Sequence, residues 1–480
     1  MTTRRAKIIC TIGPASSDRE TLGALLKAGM DIARLNFSHG THEEHAETIR
    51  RIREIANAEH KPIAILQDLQ GPKIRIGSVG DAGVELQDGA TFVITTEDIG
   101  QGDNERVSTS YSELPDDVRE GQTILLDDGY IELRIEEVRS SELRTRVVKG
   151  GRLHSNKGLI VPGANISAPP LSPKDIDDLR FGLNAGVDAV ALSFVRSERD
   201  VLELKTTMKL LGRCVPIIAK IERYEGYSDI EDIIEESDGI MVARGDLGVE
   251  MPAEQVPVLQ KHIIQRCNFF GKPVITATQM LESMIKQPRP TRAEASDVAN
   301  AVLDGSDCVM LSAETSVGSY PVEAVQYMDR VVRAIEEGRL SGVKHAPDLR
   351  RTWNVPEDTG LNVADAIGRA SCVIAEQIKA GAIISLTRSG GTARVIAKYR
   401  PQTPIIALTD NEEVMRRLAF TWGVTPLLTP PFIDVQEHLE VLREHILGSG
   451  LVEKGRLVVY SGGNPLQKSV STNMLEVHSL

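Results

Sequence analysis

The sequence predicts an α/β protein: a (β/α)8 TIM barrel with an inserted all-β lid domain and a C-terminal α/β open-sheet domain. Short apolar runs alternate with amphipathic segments three times before residue 72 and five times after residue 165. Eight such units are the number that closes a barrel, and an open doubly wound sheet is the structural alternative. Between the two blocks the chain has short alternating runs without helical periodicity, which are typical of β-strands.

Changes in this pattern place the domain boundaries. Residues 1–71 and 166–340 are assigned to the barrel, residues 72–165 to an inserted β-barrel domain, and residues 341–480 to a C-terminal α/β domain. The periodicity weakens over residues 341–353, which predicts a linker. A chain of 480 residues is long enough that several domains are expected.

The first barrel strands are predicted over residues 7–12, 30–35 and 62–67, with helices over 18–28 and 41–57 and Thr41 as an N-cap. The five later strands are expected over residues 189–193, 216–220, 239–243, 274–276 and 308–312. In the C-terminal domain we predict helices over 363–379 and 435–447 and strands over 382–387, 405–409 and 457–460.

Composition excludes several classes of protein. The formal net charge of −13 argues against a general nucleic-acid or membrane-surface binder. No apolar run approaches the roughly 20 residues that a membrane span needs. The five cysteines are widely spaced in apolar runs, so we expect buried, reduced thiols and a cytoplasmic protein.

Polar side chains directly follow the predicted barrel strands. The second strand ends at Arg34, the third at Asp68, the fifth at Lys220 and Glu222, and the sixth at Asp246. In a (β/α)8 barrel these ends share one face, where active sites lie. A ring of structural ion pairs at the barrel mouth is the alternative.

The residue types at these ends suit phosphoryl transfer. Glu222 and Asp246 offer the hard oxygen ligands that Mg²⁺ takes, completing its octahedron with water and phosphate. Arg34 and Lys220 offer fixed positive charge for a phosphoryl group. The common P-loop and protein-kinase motifs are absent from the sequence.

Several long motifs resemble those of pyruvate kinases. They are MDIARLNFSHG (30–40), QDLQGPKIR (67–75), NKGLIVPG (156–163), IIAKIER (217–223), IMVARGDLGVE (240–250), PVITATQMLESM (273–284), PTRAEASDVANAVLDGSDCVMLSAET (290–315) and STNMLEV (471–477). The resemblance implies a Mg²⁺-dependent enzyme, with Mn²⁺ as a substitute, that moves the phosphoryl group of phosphoenolpyruvate to ADP. The products would be pyruvate and ATP, and the assembly a homotetramer. The resemblance also implies that the barrel is the catalytic domain, that the inserted domain is a lid and that the C-terminal domain is regulatory.

The resemblance also implies residue roles. Lys220, Arg34 and Thr278 match catalytic residues, Gly245 and Asp246 join them in binding phosphoenolpyruvate, and Glu222 and Asp246 match the metal ligands. The residues that match the nucleotide side are Asn36, Phe37, Ser38, His39, Arg75 and Lys157.

One departure concerns K⁺. Many members have the sequence DTKGPE where this chain has DLQGPK (68–73). Leu69 therefore replaces the threonine, and Lys73 replaces the glutamate. In those members Asn, Ser, Asp and Thr bind K⁺, so Asn36, Ser38, Asp68 and Lys73 form either that site or its substitute. We expect the Lys73 ammonium to supply the charge, so that K⁺ is not required.

The loop after the predicted strand 382–387 matches the loop that the family uses for phosphorylated effectors, and helix-start N–H groups can cradle a phosphate. Its residues are Thr387, Arg388, Ser389, Gly390, Gly391 and Thr392. A plain glycine-rich turn is the alternative there. Two other functions stay open: another metal-dependent barrel enzyme such as a lyase or aldolase, and a catalytically silent phosphate-sensing scaffold.

Overall fold

The computed structural model describes residues 4–164, 166–340, 362–431, 435–463 and 471–480. These residues form a closed parallel barrel, an all-β region inserted in it, and a C-terminal region around an open sheet. The predicted fold class is therefore confirmed. The linker expected over residues 341–353 lies outside the described residues.

The first part of the barrel follows the predicted order closely. It comprises β1 (Lys7–Ile12), α1 (Arg19–Ala28), β2 (Ile32–Asn36), α2 (His42–Ala58) and β3 (Ala64–Asp68). The predicted N-cap is confirmed, because Thr41 and Glu44 form a capping box at the start of α2. Strands β2 and β3 extend one residue further than predicted, so Asn36 and Asp68 are paired within the sheet.

The inserted region is a β-structure with one short helix among its described residues. Its elements are β4 (Val84–Leu86), β5 (Thr91–Thr95), β6 (Arg106–Ser108), α3 (Leu114–Asp117), β7 (Thr123–Leu126), β8 (Ile131–Val138), β9 (Glu142–Lys149), β10 (Gly151–Leu153) and β11 (Leu159–Ile160). They form a six-stranded sheet in the order β11-β7-β8-β9-β5-β6 and a separate β10-β4 pair. The described strands thus form two sheets where we expected one barrel.

The chain then completes the barrel. The elements are α4 (Pro173–Ala185), β12 (Ala189–Leu192), α5 (Glu198–Leu210), β13 (Ile217–Ile221), α6 (Tyr224–Ser228), α7 (Ile230–Glu236), β14 (Gly239–Ala243), α8 (Arg244–Glu250), α9 (Val256–Phe270), β15 (Val274–Ala277), α10 (Arg292–Asp304), β16 (Cys308–Leu311), α11 (Ala313–Ser316) and α12 (Pro321–Leu340). The described strands close in the order β1-β16-β15-β14-β13-β12-β3-β2. Their buried, largely aliphatic sequences explain why each reads as a continuous apolar run.

The C-terminal region is an α/β sheet. Its elements are α13 (Val363–Gln377), β17 (Ala382–Leu386), α14 (Gly391–Lys398), β18 (Ile405–Thr409), α15 (Glu412–Arg417), β19 (Val424–Leu428), α16 (Val435–Gly448), β20 (Leu457–Gly462) and β21 (Met474–Ser479). The order is β19-β18-β17-β20-β21, with β21 antiparallel to β20. Sequence reasoning missed both edge strands. Pro426 lies within β19, and an edge strand tolerates proline.

The C-terminal region closes the end of the barrel opposite the strand tips. Phe420 is buried in the same apolar cluster as the barrel-lining Ile9 and Met310, and its carbonyl accepts a hydrogen bond from Cys308. Three of the five cysteines are buried as expected and Cys372 is partly buried, but Cys214 is exposed because it lies in the loop between α5 and β13. No helix in the described part of the chain is long and apolar enough to cross a bilayer.

Candidate active site

The carboxyl ends of β2, β3 and β13 bring two cations and two carboxylates into contact. The Lys220 ammonium lies 2.9 Å from a Glu222 oxygen and 3.3 Å from an Asp68 oxygen. Arg34 donates to the other Asp68 oxygen at 2.6 Å. All four side chains are largely buried. The strand tips therefore meet in one cluster at the barrel mouth, as the barrel geometry predicts.

Two hydroxyls that sequence reasoning missed hold these cations in place. Lys220 donates to Ser193 Oγ at 2.7 Å, and Ser193 donates in turn to the Leu69 carbonyl at 2.8 Å. Thr11 Oγ1 accepts from Arg34 at 2.9 Å. Ser193 could have been found from its position in the sequence, because it directly follows β12 in the same way that Asp68 ends β3.

The charges in the cluster stabilise one another. Burial alone would lower the pKa of Lys220, but the Asp68 and Glu222 carboxylates raise it well above its ordinary value. Burial favours a protonated Asp68, yet Lys220 and Arg34 hold its pKa below the usual range. Lys220 is therefore a permanent cation at neutral pH, able to face an anionic substrate.

Glu222 behaves differently from Asp68. Burial raises its pKa, Lys220 opposes that effect, and the nearby Asp246 charge raises it again. The carboxylates of Glu222 and Asp246 repel each other at the end of the barrel strands. A divalent cation bound by both would relieve this repulsion. The described residues contain no group of three or more acidic, histidine or cysteine ligands. Two carboxylates fit Mg²⁺, which needs few protein ligands, better than a closed structural zinc site.

Gly245 and Thr278 lie together beside this cluster. The Gly245 N–H donates to Thr278 Oγ1 at 2.9 Å, and Arg244 fixes the same segment by donating to the Thr278 carbonyl at 2.7 Å. Thr278 has φ 67°, and Gln279 after it has φ 54°. Left-handed backbone is costly for a β-branched residue, and it concentrates at functional sites.

The expected nucleotide residues after β2 form a tight turn. Asn36 Oδ1 accepts from the Ser38 N–H at 3.1 Å, and the His39 carbonyl contacts the His45 ring at 2.9 Å. The Phe37 ring is buried and stacks on His45 at 4.0 Å. The Phe37 ring therefore supports the turn from behind and is not exposed at the surface.

Three cations from two segments meet at the inserted region. Arg75 donates to the Asn156 carbonyl at 2.8 Å, and Lys157 pairs with Asp127 at 2.7 Å. A Cβ added to Gly158 would lie 3.3 Å from Lys73 Cε. The predicted residues Arg75, Lys157 and Lys73 are thus neighbours. Asp127 is a further candidate that the sequence did not single out.

The candidate effector loop connects β17 to α14. Thr387 Oγ1 accepts from the Gly390 N–H at 2.9 Å, and Ser389 Oγ accepts from the Gly391 N–H at 3.4 Å. Thr392 bonds to Thr472 at 2.8 Å. Gly390 has φ 84°, a conformation that favours glycine.

Glu250 at the end of α8 gives a prediction for stability. Burial raises its pKa to about 7, Arg223 opposes this, and Glu225 and Asp246 add to it. The native state therefore keeps a proton that the unfolded chain releases near pH 4.5. The contribution of Glu250 to wild-type stability therefore falls as pH rises from about 4.5 to 7, by up to about 3 kcal/mol.

Since glutamine cannot ionise, Glu250→Gln should be more stable than wild type at pH 8 and close to it at pH 5. Urea unfolding at both pH values measures the difference. Glu254→Gln, an exposed neighbour, is the control and should show no pH-dependent difference. A pH-independent difference for Glu250→Gln would contradict the prediction.

A (β/α)8 barrel with buried cations and two acidic groups at its C-terminal face defines an enzyme that acts on an anionic substrate. The comparisons with known proteins specify this class further. Residues 3–325 match the family model for the pyruvate kinase barrel domain, and residues 365–478 match the model for the pyruvate kinase alpha/beta domain.

Full-length relatives agree. The chain is 46% identical to a pyruvate kinase of Geobacillus stearothermophilus, covering 99% of this chain and 80% of the relative. It is 43% identical to one of Clostridium acetobutylicum, covering 99% of both. A solved pyruvate kinase from Cryptosporidium parvum superposes with a TM-score of 0.91 at 39% identity, over 99% and 96% of the two chains. The chain belongs to the pyruvate kinase family and is a phosphotransferase.

Proposed function

We propose that the chain transfers the phosphoryl group of phosphoenolpyruvate to ADP in a Mg²⁺-dependent reaction, with Lys220 and Arg34 as its central cations. The observation that supports this most is the contact network in which Lys220 meets Glu222 and Asp68 while Arg34 meets Asp68. In phosphoryl transfer, positioning and charge stabilisation supply most of the rate.

The bond changes assign a task to each side chain. A β-phosphate oxygen of ADP bonds to the phosphorus as the bond to the enol oxygen breaks, and the enolate is then protonated at its methylene carbon. The buried Lys220 ammonium would stabilise both the migrating group and the enolate oxygen. Arg34, held by Thr11 and Asp68, would orient the phosphoryl group. Gly245 and Thr278 would bind the carboxylate.

Glu222 and Asp246 would hold the divalent ion. When bound there, Mg²⁺ would neutralise phosphate charge and bridge the substrate to the barrel. Burial raises the pKa of Glu222, and the Asp246 charge raises it further, so a divalent cation beside both carboxylates would favour their ionised forms.

A coupled assay of pyruvate formation tests the proposal. Product should require phosphoenolpyruvate, ADP and Mg²⁺ or Mn²⁺ together, and chelation with EDTA should abolish it. Pyruvate formed without ADP would indicate a lyase instead. Complete inactivity of folded protein over a panel of nucleoside diphosphates would indicate a scaffold.

We also propose that the enzyme needs no K⁺. Asp68, a K⁺ ligand in many relatives, has its two oxygens engaged by Arg34 and Lys220. Leu69 offers no hydroxyl, and it is buried. Lys73 extends to the nucleotide-side segment at Gly158, so it can provide a tethered monovalent charge near a polyphosphate.

Activity in buffers with tetramethylammonium as the only monovalent cation should equal activity with K⁺. Lys73→Glu should lose activity because it reverses the tethered charge, and added K⁺ should restore part of it. Lys149→Glu, an exposed lysine of the same inserted region, is the control and should stay near wild type. Several-fold stimulation of the wild-type enzyme by K⁺ would contradict the proposal.

Allosteric activation by a phosphorylated metabolite is proposed for the loop between β17 and α14. Its hydroxyls and helix-start N–H groups suit a phosphate. Sugar phosphates and nucleoside monophosphates should shift the phosphoenolpyruvate saturation curve, and Ser389→Glu should abolish the shift by charge repulsion. If none of these ligands moves the curve of the wild-type enzyme, the loop is a structural turn. The assembly is proposed to be a homotetramer, which light scattering would test.

A further inference from the structure

The turn between β7 and β8 has an unusual backbone beside Lys157. Asp127 and Asp128 have φ 50° and 54°, and Asn156, which precedes Lys157, has φ 61°. Consecutive left-handed residues other than glycine are uncommon, although Asp and Asn tolerate this region best. Such conformations persist where the surrounding structure holds them, frequently at ligand sites.

Asp127 is bonded to the Lys157 segment through both its main chain and its side chain. Its carboxylate lies 2.7 Å from the Lys157 ammonium, and its N–H donates to the Gly158 carbonyl at 3.2 Å. Strand pairing of Leu126 with Leu159 continues the same connection. The side chain of Lys157 is 39% exposed and that of Asp127 is 19% exposed. The ammonium is therefore held on one side and accessible to solvent on another.

We propose that Asp127 is a positioning residue for the nucleoside diphosphate, acting through Lys157. It fixes the direction of the long, flexible Lys157 side chain. Because this side chain is already ordered, it loses less conformational entropy when a phosphate binds. An ammonium has three N–H donors, and one carboxylate contact leaves two for phosphate oxygens. This inference rests on the proposed function, in which Lys157 faces ADP.

The charges around the turn support this role. Arg75 is bonded to the Asn156 carbonyl, and Lys73 lies against Gly158, so two more cations border the same segment. With Asp127 included, the net charge of this group stays positive. Asp127 can therefore orient Lys157 without making the surroundings repulsive to a polyphosphate.

The turn is also placed against the phosphoenolpyruvate side of the site. A Cβ added to Gly129 would lie 3.6 Å from Cγ1 of Val249, which belongs to α8. That helix carries Gly245 and Asp246. The turn that carries Asp127 therefore lies beside the helix that carries the expected phosphoenolpyruvate ligands.

The test compares Asp127→Asn with Asp128→Asn. Asparagine tolerates left-handed backbone, so both variants should keep the turn. Asp127→Asn should raise the KM for ADP about three- to five-fold, the range that a partly exposed ion pair can supply. Its kcat, and the binding of phosphoenolpyruvate with Mg²⁺ measured by calorimetry, should not change. Asp128→Asn, whose side chain is exposed, should match wild type in every parameter.

A double-mutant cycle with Lys157→Met separates the possible failures. The double variant should have the same KM for ADP as Lys157→Met alone, because Asp127 acts only through Lys157. If Lys157→Met leaves this KM unchanged, the nucleotide role of Lys157 and the inference both fail. If Lys157→Met raises it while Asp127→Asn does not, or if Asp128→Asn raises it equally, only the role of Asp127 is overturned.

Discussion

Lys220→Met is expected to lower kcat by about 1,000-fold or more, since removing one preorganised charge from a dry site costs two to three orders of magnitude. Lys220 is 8% exposed as a residue, and its ammonium is held by Ser193, Glu222 and Asp68. Methionine fills a similar volume without charge. The coupled assay measures kcat, and the expected loss falls on phosphoryl transfer because no other described cation contacts Glu222.

Lys7→Met is the matched control. Lys7 is also a buried lysine at a barrel strand, but it lies at the opposite end of the barrel and donates to the Val424 carbonyl at 2.8 Å. Both variants lose a buried ammonium, so both should lose stability. Only Lys220→Met should lose turnover when rates are normalised to folded protein. Retention of a tenth of the wild-type kcat by Lys220→Met would contradict its assigned role.

Arg400→Met is expected to lower the free energy of unfolding by about 3–5 kcal/mol, because it leaves a buried carboxylate without its counter-ion. Arg400 crosses from the C-terminal region to the barrel, where it pairs with Asp307 at 3.0 Å and donates to the Gly305 carbonyl at 2.8 Å. It also stacks over Trp422 at 4.9 Å. Both charged side chains are less than 10% exposed.

Arg139→Met is the control, since Arg139 also pairs with a carboxylate, Glu137, at 3.0 Å, but its side chain is 56% exposed. Exposed pairs are typically worth about 0–1 kcal/mol. Urea unfolding of both variants should therefore separate them by several kilocalories per mole. Equal stability of the two variants would show that the contact between the C-terminal region and the barrel does not depend on Arg400.

The barrel and the main cluster could be predicted from sequence because both depend on local pattern. Buried parallel strands are continuous apolar runs, and the charged residues that end them must share one face of a closed barrel. Lys220, Glu222, Asp68 and Arg34 were found in this way, and their contacts confirm that they meet.

Other features depend on contacts between distant segments, which no local pattern encodes. Ser193 holds Lys220, yet in the sequence it is one more strand-end serine. Asp127 directly precedes the Asp-Gly pair at 128–129, and only folding brings it to Lys157. Arg400 reaches Asp307 across 93 residues of chain. The burial of the Phe37 ring likewise depends on a distant element, since the ring packs near Phe181 of α4.

The central claim is that Lys220 and a divalent ion held by Glu222 and Asp246 face the same phosphoryl group. The most direct measurement is the anomalous scattering of a crystal grown with Mn²⁺ and phosphoenolpyruvate. The account predicts one strong peak within about 2.5 Å of carboxylate oxygens from both Glu222 and Asp246, with ligand density beside the Lys220 ammonium. A metal peak at another place, or a ligand out of reach of Lys220, would contradict it.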